Sequence, residues 1–393
     1  MDPLVERMRP FGTTIFAEMS ALAVRTGAVN LGQGFPDTDG PASMLDAAAE
    51  ALRGGHNQYP PAPGIPALRQ AIADHQREYW GLDYDPDREV VVTAGATEAI
   101  AASILALCDP GDAVVCFEPY YDSYAASIAL AHAVRRPVTL RPRADGRYGF
   151  DPAQLRAAFA GSAGGAGRAR MVLLNSPHNP TGKVFTREEL ALIAALCVEY
   201  DVYAVTDEVY EHLVFGGTHT PLASLPGMRE RTLRISSAGK TFSCTGWKVG
   251  WVSGPPDLVS AVLRVKQFLT FVNAGPLQPA VAHALRLPRS YVTGLRADLL
   301  AKRDLLANGL AEAGFDVLVP EGTYFITADI RPLGGTDGVE FCLALPERCG
   351  VVAVPTQVFY DDRQAGRHLV RFAFCKRVEV LSEAVDRLRK LAA

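Results

Sequence analysis

Lys240 carries the most specific chemical signal in this sequence. It lies in the stretch SSAGKTF at 236–242, directly after an apolar segment at 232–235. A lysine that bonds covalently to a bulky aromatic aldehyde needs small neighbours, because the aldehyde must approach the backbone closely. Taken alone, Lys240 fits a solvated loop lysine better, so a chemical role depends on what the rest of the chain places beside it.

Four more apolar segments end in small or polar residues, and they predict where those partners come from. Strands buried on both faces of a parallel sheet are expected at 89–93, 113–117, 171–174 and 202–206, in addition to the one before Lys240. We expect these five strands to alternate with helices. In open parallel sheets ligands bind at the carboxyl edge of the strands, so the residues that follow them should meet at one site.

Each of those strand ends also has a plain structural interpretation. Ala96 and Thr97 lie in a turn before an Ala-rich helix, which suits a phosphate group or simply a tight turn. Neither GxGxxG nor GxxxxGK[ST] is present, which disfavours nucleotides. Tyr121 fits the core, a rim or a platform for a flat ring. Asp207 needs a positive partner if the strand before it is buried.

Two further features suit a carboxylate ligand. Gly34 lies in an irregular loop, GQGFPD at 32–37, that exposes backbone N–H groups, although a plain turn explains the loop equally well. Arg371 interrupts an otherwise apolar strand, and a buried guanidinium requires a bidentate carboxylate. Without other motifs, an Asp or Glu of the fold is the expected partner of Arg371, and a substrate carboxylate is the alternative.

Composition excludes several classes of protein. The chain has 393 residues, 48% hydrophobic and 21% charged, with a net charge of −4, so neither a nucleic-acid footprint nor a polybasic membrane signal is present. Seven scattered cysteines form neither CxxC pairs nor metal-spaced Cys/His clusters, and we expect reduced thiols and no metal. The N-terminus lacks an apolar signal region, and no apolar run reaches the roughly 20 residues of a bilayer span. A cytoplasmic protein is expected.

The length predicts more than one domain. From residue 289 the pattern changes to a long charged amphipathic helix, at 289–314, followed by strands at 315–319, 323–328 and 369–374. We predict an N-terminal arm at 1–40 that joins a small α+β domain at 289–393, and a large α/β domain at 41–288.

Together these motifs resemble those of fold type I, class I/II aminotransferases, which depend on pyridoxal phosphate. The resemblance spans nearly the whole chain and is strongest for the kynurenine/methionine branch and the actinobacterial N-succinyldiaminopimelate aminotransferases. The matching stretches are LGQGFPD at 31–37, NQYP at 57–60, NSPHNPTG at 175–182, TDEVYEHLVF at 206–215, SSAGKTFSCTGWKVGW at 236–251, GTYF at 322–325 and VRFAFCK at 370–376. The resemblance implies a three-layer fold with a mostly parallel sheet and a smaller α+β domain.

The resemblance also implies roles for individual residues. Lys240 would hold the cofactor covalently and move the proton from the substrate Cα, and Asp207 would keep the pyridine nitrogen protonated. Tyr210 and Asn179 would bind the phenolic oxygen, and Tyr121 would stack on the ring. The remaining roles are phosphate binding by Ala96, Thr97, Ser237 and Lys248, and substrate binding by Arg371, Asn179, Gly34 and Phe16. Tyr59 would reach the phosphate of a neighbouring subunit, which implies a homodimer with shared sites.

Three departures bear on the substrate. Kynurenine aminotransferases have a tyrosine, a tryptophan and a partner-chain histidine where this chain has Thr97, Phe16 and Val272. These differences disfavour kynurenine and favour transfer from glutamate to N-succinyl-2-amino-6-oxopimelate, on the route to diaminopimelate and lysine. The alternatives are a broad kynurenine/methionine-type aminotransferase and a C–S β-lyase that uses the same cofactor. No second cation for the succinyl carboxylate is evident from the sequence.

Overall fold

The computed structural model describes residues 3–161 and 169–392. Its helices are α1 (Ile15–Thr26), α2 (Ala42–Arg53), α3 (Pro66–Trp80), α4 (Gly95–Leu107), α5 (Asp122–Leu130), α6 (Pro152–Ala160), α7 (Arg187–Glu199), α8 (Ala238–Thr241), α9 (Pro256–Lys266), α10 (Gln278–Ala284), α11 (Arg289–Glu312), α12 (Gly338–Cys349) and α13 (Val378–Leu388). Its strands are β1 (Val29–Asn30), β2 (Val90–Ala94), β3 (Ala113–Glu118), β4 (Val134–Thr139), β5 (Arg141–Pro142), β6 (Tyr148–Gly149), β7 (Ala169–Asn175), β8 (Tyr203–Asp207), β9 (Thr232–Ser237), β10 (Val249–Ser253), β11 (Asp316–Leu318), β12 (Phe325–Asp329), β13 (Val351–Val352), β14 (Val354–Pro355) and β15 (Leu369–Ala373). Among the described helices, none combines the length and apolarity needed to cross a bilayer.

A seven-stranded sheet in the order β2-β10-β9-β8-β7-β3-β4 forms the centre of the molecule. The neighbours from β9 to β4 pair in parallel, whereas β10 is antiparallel to both β2 and β9. Strand β2 therefore runs in the same direction as β9. All five predicted strands consequently end at one edge of the sheet, as the sequence predicted.

Helices cover both faces of this sheet. Successive residues of each strand alternate between two apolar clusters, because side chains in a strand point alternately to opposite faces. Val172 and Leu174 join the cluster formed with α6 and α7, whereas Met171 and Leu173 join the cluster formed with α4, α5 and α9. This layering confirms the predicted α/β class.

Two strands of the sheet were not predicted, and the predicted alternation with helices is wrong at one connection. Strand β4 is an edge strand whose apolar pattern is interrupted by two arginines and Pro137, a residue that sheets tolerate at their edges. Strand β10 lies within the glycine-rich stretch after Lys240. Between β8 and β9 the chain forms turns and the short 3-10 helix Leu222–Ser224 in place of an α-helix. Gly216, Gly217 and Pro221 disfavour a helix there.

A second, antiparallel sheet in the order β11-β12-β15-β14 packs with α11 and α12. The long helix and the three strands predicted after residue 289 are all present. Near the N-terminus, β1 pairs in parallel with β13, through Val29 with Val351 and Asn30 with Val352. These contacts support the proposed three-part division at residues 40 and 288, which stays a prediction.

Candidate active site

A cavity of about 300 Å³ opens at the carboxyl edge of the central sheet. Its walls come from the residues that follow the five predicted strands, from the Gly34 loop, from α1 and from the second sheet. The predicted residues that line it are Phe16, Gly34, Ala96, Thr97, Tyr121, Asn179, Asp207, Tyr210, Ser237, Lys240, Lys248 and Arg371. Tyr59 does not line it; its side chain is 81% exposed and packs edge-on against Phe271.

Lys240 projects into this cavity from the short helix α8, which begins where β9 ends. Its Nζ lies 3.5 Å from the carbonyl oxygen of Gly34 and between the rings of Tyr210 and Tyr324, at 5.7 and 5.6 Å from their centres. Burial lowers the pKa of Lys240 to about 8. A substantial fraction of the amine is therefore neutral and nucleophilic near neutral pH.

The small residue before Lys240 has a packing role that the sequence did not indicate. A Cβ on Gly239 would lie 3.0 Å from the Cα of Thr245. The glycine thus lets the turn after β9 fold back against the residues that lead to Lys248. Room for an aldehyde is one reason for a small residue here, and close backbone packing is another.

Asp207 is the last residue of β8, and its carboxylate is buried without a cationic partner. The hydroxyl of Tyr124 donates to Oδ2 at 2.5 Å, and the backbone N–H of Val209 donates to Oδ1 at 3.3 Å. Burial raises the pKa of Asp207, and no ion pair to it is found among the described residues. A buried, unpaired carboxylate facing a cavity is costly unless a positive group occupies that cavity.

A second set of buried charges fixes the backbone behind Asp207. Arg234 of β9 forms ion pairs with Glu208 at 2.6 Å and with Glu211 at 2.7 Å. Glu211 also accepts a hydrogen bond from the hydroxyl of Ser236 at 2.8 Å. Since Glu208 follows Asp207 and Ser236 precedes the Lys240 turn, this network ties together the two strand ends that carry Asp207 and Lys240.

The opposite end of the cavity is suited to an anion. Gly95, Ala96 and Thr97 form the first turn of α4, a helix of 13 residues whose free N–H groups and dipole favour negative charge. Lys248 lines the same end and adds a positive charge. A Cβ on Gly95 would lie 3.2 Å from Nζ of Lys248, so the lysine reaches the helix N-terminus because residue 95 has no side chain.

Arg371 is fully buried at the side of the cavity nearest to α1. Its guanidinium donates to Oδ1 of Asn179 at 3.1 Å and to the carbonyl oxygen of Gly32 at 2.8 Å, and it stacks 4.1 Å from the centre of the Phe325 ring. Its Nε is buried without an acceptor, and no carboxylate pairs with it among the described residues. The structural Asp or Glu expected from the sequence as the partner of Arg371 is therefore not found within residues 3–161 and 169–392.

Comparison with known proteins decides the family. The model of the family "Aminotransferase class I and II" matches residues 26–388. The chain belongs to this family. It is 54% identical, over 99% of its own length and 98% of the relative's, to the probable N-succinyldiaminopimelate aminotransferase DapC of Mycobacterium tuberculosis. It is 39% identical to the methionine aminotransferase of Escherichia coli, over 99% of each chain.

A solved structure agrees with these relatives. That of N-succinyldiaminopimelate aminotransferase from Mycobacterium tuberculosis superposes with a TM-score of 0.95 at 53% identity, covering 99% of this chain and 100% of that one. As a member of this family of aminotransferases, the protein is an enzyme that depends on pyridoxal phosphate.

The cavity of this aminotransferase fits the cofactor at both ends. At one end the unpaired carboxylate of Asp207 suits a protonated pyridine nitrogen. At the other, the first turn of α4 and Lys248 suit a phosphate, and Lys240 lies between the two ends with an amine able to attack an aldehyde. Arg371 lines the same cavity, and its guanidinium suits an amino-acid carboxylate.

Sequence reasoning missed several residues that shape the site. Tyr124 holds Asp207, and it follows Tyr121 by one helical turn in α5. Asn175 donates from its side-chain amide to the carbonyl oxygen of Asp207 at 2.8 Å and accepts from the N–H of Asn179 at 2.7 Å. Tyr324 donates to the carbonyl oxygen of Gly34 at 2.7 Å. Asn175 and Tyr324 lie in stretches already singled out by motif and Tyr124 lies close to Tyr121, but no local pattern reports contacts between distant segments.

A group with ligand atoms spaced for a metal lies outside the cavity. It consists of His75, Glu211 and His212, all buried. Nε2 of His75 and Nε2 of His212 are 2.8 Å apart and share a hydrogen bond, while Glu211 is already bonded to Arg234 and Ser236. These groups satisfy one another, and the expectation of no metal stays a prediction.

Proposed function

We propose that this aminotransferase moves an amino group between glutamate and N-succinyl-2-amino-6-oxopimelate, a step toward diaminopimelate and lysine. The observation that carries the proposal is the full-length identity of 54% with a relative bearing that specificity in its name. All of the predicted site residues except Tyr59 line one cavity, which supports the amino transfer itself. The 39% identity with a methionine aminotransferase favours, as the second candidate, a broad specificity for methionine-type substrates.

The proposed reaction assigns the cofactor end of the cavity as follows. Bound pyridoxal phosphate supplies an electron sink for the bonding electrons released at the substrate Cα and carries the amino group between two half-reactions. Asp207 keeps the ring nitrogen protonated, because an opposite charge at hydrogen-bonding distance shifts a pKa by roughly 1–3 units. Tyr210 and Asn179 bind the phenolic oxygen, and Tyr121 stacks on the ring.

The phosphate is held by the N-terminal turn of α4, through Ala96 and Thr97, together with Ser237 and Lys248. These four residues supply backbone N–H groups, hydroxyls and one charge, which are the groups that bind phosphate in proteins. A phosphate anchored there would leave the aromatic ring within reach of Tyr121 and Asp207, which line the same cavity.

Lys240 has two tasks in the proposed cycle. Its amine would hold the cofactor covalently, and when free of the cofactor the same amine would move the proton from the substrate Cα. A pKa lowered to about 8 suits both tasks, since an amine that is always charged can neither attack nor accept a proton.

Arg371 binds the substrate α-carboxylate in this proposal. Two of its nitrogens are already fixed by Asn179 and Gly32, so the guanidinium is held in place before substrate arrives. Asn179 and the Gly34 loop complete the carboxylate site, and Phe16 covers its outer side at 5.1 Å from Cζ of Arg371.

We further propose a cytoplasmic homodimer with shared active sites. Tyr59 lies beside an exposed apolar segment in which Phe268 is 84% and Leu269 50% exposed. Burial of this segment against a second copy would remove apolar surface from water and carry Tyr59 toward the partner's phosphate site. All seven cysteines are buried and unpaired, which supports a reducing compartment.

A panel of amino donors and 2-oxo acids tests the proposed substrate. The purified enzyme should convert N-succinyldiaminopimelate with 2-oxoglutarate at a higher kcat/KM than methionine or kynurenine with the same acceptor. Preference for methionine would establish the second candidate. Release of ammonia and pyruvate from cystathionine, without consumption of an oxo acid, would instead indicate a β-lyase.

A further inference from the structure

A second cavity of about 590 Å³ continues outward from the active site. It shares Phe16, Thr97 and Tyr121 with the first cavity, so the two are neighbouring compartments of one site. Its outer wall is formed by the chain before α1, by the start of α5 and by residues 358–363. A substrate longer than the amino-acid group held at Arg371 has this compartment as its place of extension.

Among the residues that the structure describes, Arg363 is the one cation that lines this outer cavity. The two acidic residues that precede it are already paired, Asp361 with Arg135 at 3.1 Å and Asp362 with Arg141 at 3.5 Å. Arg363 itself has no ion pair or hydrogen bond within residues 3–161 and 169–392. Its charge is therefore available to a ligand.

The loop that carries Arg363 is anchored just before it. The backbone N–H of Asp361 donates to Oε2 of Glu118 at 2.7 Å, and the hydroxyl of Tyr120 donates to Oδ1 of Asp361 at 2.6 Å. Both bonds connect the loop to the end of β3, close to Tyr121. The position of the Arg363 backbone is thus fixed relative to the active site.

The other polar groups of the cavity narrow the kind of ligand. Glu18 and Asp122 also line it, and their carboxylates repel an anion placed beside them. Thr13, Thr14 and Ser123 add hydroxyl groups. A tail with neutral polar atoms along its length and a carboxylate at its end matches this distribution.

We infer that Arg363 binds the terminal carboxylate of substrates whose tail extends past Phe16, and that it selects for the charge and length of that tail. The inference deepens the proposed function and rests on it for the identity of the natural tail, a succinylated amino acid. Arg363 then supplies the second cation that the sequence alone did not reveal. It is a specificity-determining residue, since it contacts the tail and not the reacting atoms.

Arg363→Gln tests this inference against a matched control, Arg156→Gln, which removes another exposed arginine far from either cavity. The substrates are N-succinyldiaminopimelate and a chain-matched pair, 2-aminosuberate with a terminal carboxylate and 2-aminooctanoate without one. A charge-assisted hydrogen bond is worth about 1.5–3 kcal/mol. The ratio of kcat/KM for 2-aminosuberate over 2-aminooctanoate should fall about 10- to 100-fold in Arg363→Gln and stay unchanged in Arg156→Gln. Arg363→Lys should recover part of the ratio.

The outcomes separate this inference from the proposed function. Suppose that the wild type converts N-succinyldiaminopimelate and that the ratio of kcat/KM for 2-aminosuberate over 2-aminooctanoate is unchanged in Arg363→Gln. This result overturns the inference and leaves the proposed function standing. Suppose instead that the wild type does not convert N-succinyldiaminopimelate but that the same kcat/KM ratio falls in Arg363→Gln. This result overturns the proposed function and supports the inference. A wild type without preference for the charged tail, or an equal loss on both members of the pair, also overturns the inference.

Discussion

Asp207 shows how a single buried group reports on what the site binds. Its carboxylate receives two hydrogen bonds and no cation from the described residues, and burial raises its pKa. A carboxyl group that must remain charged in such surroundings needs a positive ligand. We infer that Tyr124 orients Asp207 toward the cofactor, because its hydroxyl donates to Oδ2 of that carboxylate.

Tyr124→Phe tests this positioning role. Loss of a hydrogen bond to a charged acceptor costs about 1.5–3 kcal/mol, so kcat should fall about 10- to 100-fold. The pH at which the absorbance of the bound cofactor changes should also shift, because Asp207 would hold the ring nitrogen less firmly. Tyr148→Phe is the control, since that buried hydroxyl shares a hydrogen bond with Thr327 and Tyr148 lines neither cavity. Equal effects in both variants would show general destabilisation instead.

Lys240 predicts a pH dependence for cofactor uptake. Burial lowers its pKa to about 8, and only the neutral amine attacks an aldehyde. Protein stripped of cofactor should therefore bind added pyridoxal phosphate covalently at a rate that rises with pH and levels off above about 8. Stopped-flow absorbance between pH 6.5 and 9.5 measures this. A rate still rising steeply at pH 9.5 would mean an unperturbed lysine.

At the scale of single residues, the sequence predicted those with distinctive chemistry and missed those that act through distant contacts. Lys240 and Asp207 follow predicted strands, so the topology of a parallel sheet brings them together. Arg371 lines the cavity, but its expected structural acid is not found among the described residues. Tyr124 and Tyr324 resemble ordinary core tyrosines in the sequence, because their partners lie far away along the chain.

At the scale of elements, the site depends on close packing between β10 and the first turn of α4. A Cβ on Gly250 would lie 2.5 Å from the backbone carbon of Gly95 and 2.8 Å from the nitrogen of Ala96. Backbone atoms cannot move aside as flexible side chains can. Any side chain at residue 250 therefore displaces the helix turn proposed to bind phosphate.

Gly250→Ala should consequently weaken cofactor binding more than it weakens folding. We expect the Kd for pyridoxal phosphate to rise at least about 10-fold, with a loss of about 1–3 kcal/mol in unfolding free energy. Gly246→Ala is the matched control, since a Cβ there meets nothing within 4 Å. Unchanged cofactor affinity in Gly250→Ala would refute the role of this contact.

The elements themselves were predictable where their pattern was regular. The five buried strands and α11 have clear apolar periods, and the structure has them within a few residues of the predicted bounds. Strand β10 was missed because it is antiparallel and lies among glycines that also serve the site. Strand β4 was missed because its arginines and proline conceal it at the sheet edge.

At the scale of the whole molecule, several buried histidines remain neutral in the folded chain. Burial lowers the pKa of His178 and of His212 to about 3, and it also lowers that of His75. In the unfolded chain a histidine titrates near 6.5. Below that pH the unfolded state therefore binds protons that the native state does not, and the native state loses stability.

The free energy of unfolding should thus fall between pH 6.5 and 5.5 by about 1 kcal/mol for each of His178 and His212. Urea unfolding at fixed protein and cofactor concentrations measures this slope. The slope of the unfolding free energy against pH should be smaller in His212→Gln, because that variant takes up about one proton fewer on unfolding than the wild type. A stability independent of pH across this range, or an unchanged slope in the variant, would show that the histidines are not neutral in the native state.

The central claim is that Lys240 holds pyridoxal phosphate inside the cavity that Asp207 and the α4 turn define. Reduction of the coloured holoenzyme with borohydride, followed by proteolysis and peptide mass spectrometry, tests it most directly. We expect one phosphopyridoxyl adduct per chain, located on Lys240 and absent from a Lys240→Ala variant. An adduct on another lysine, or a wild-type protein that takes up no cofactor, would contradict it.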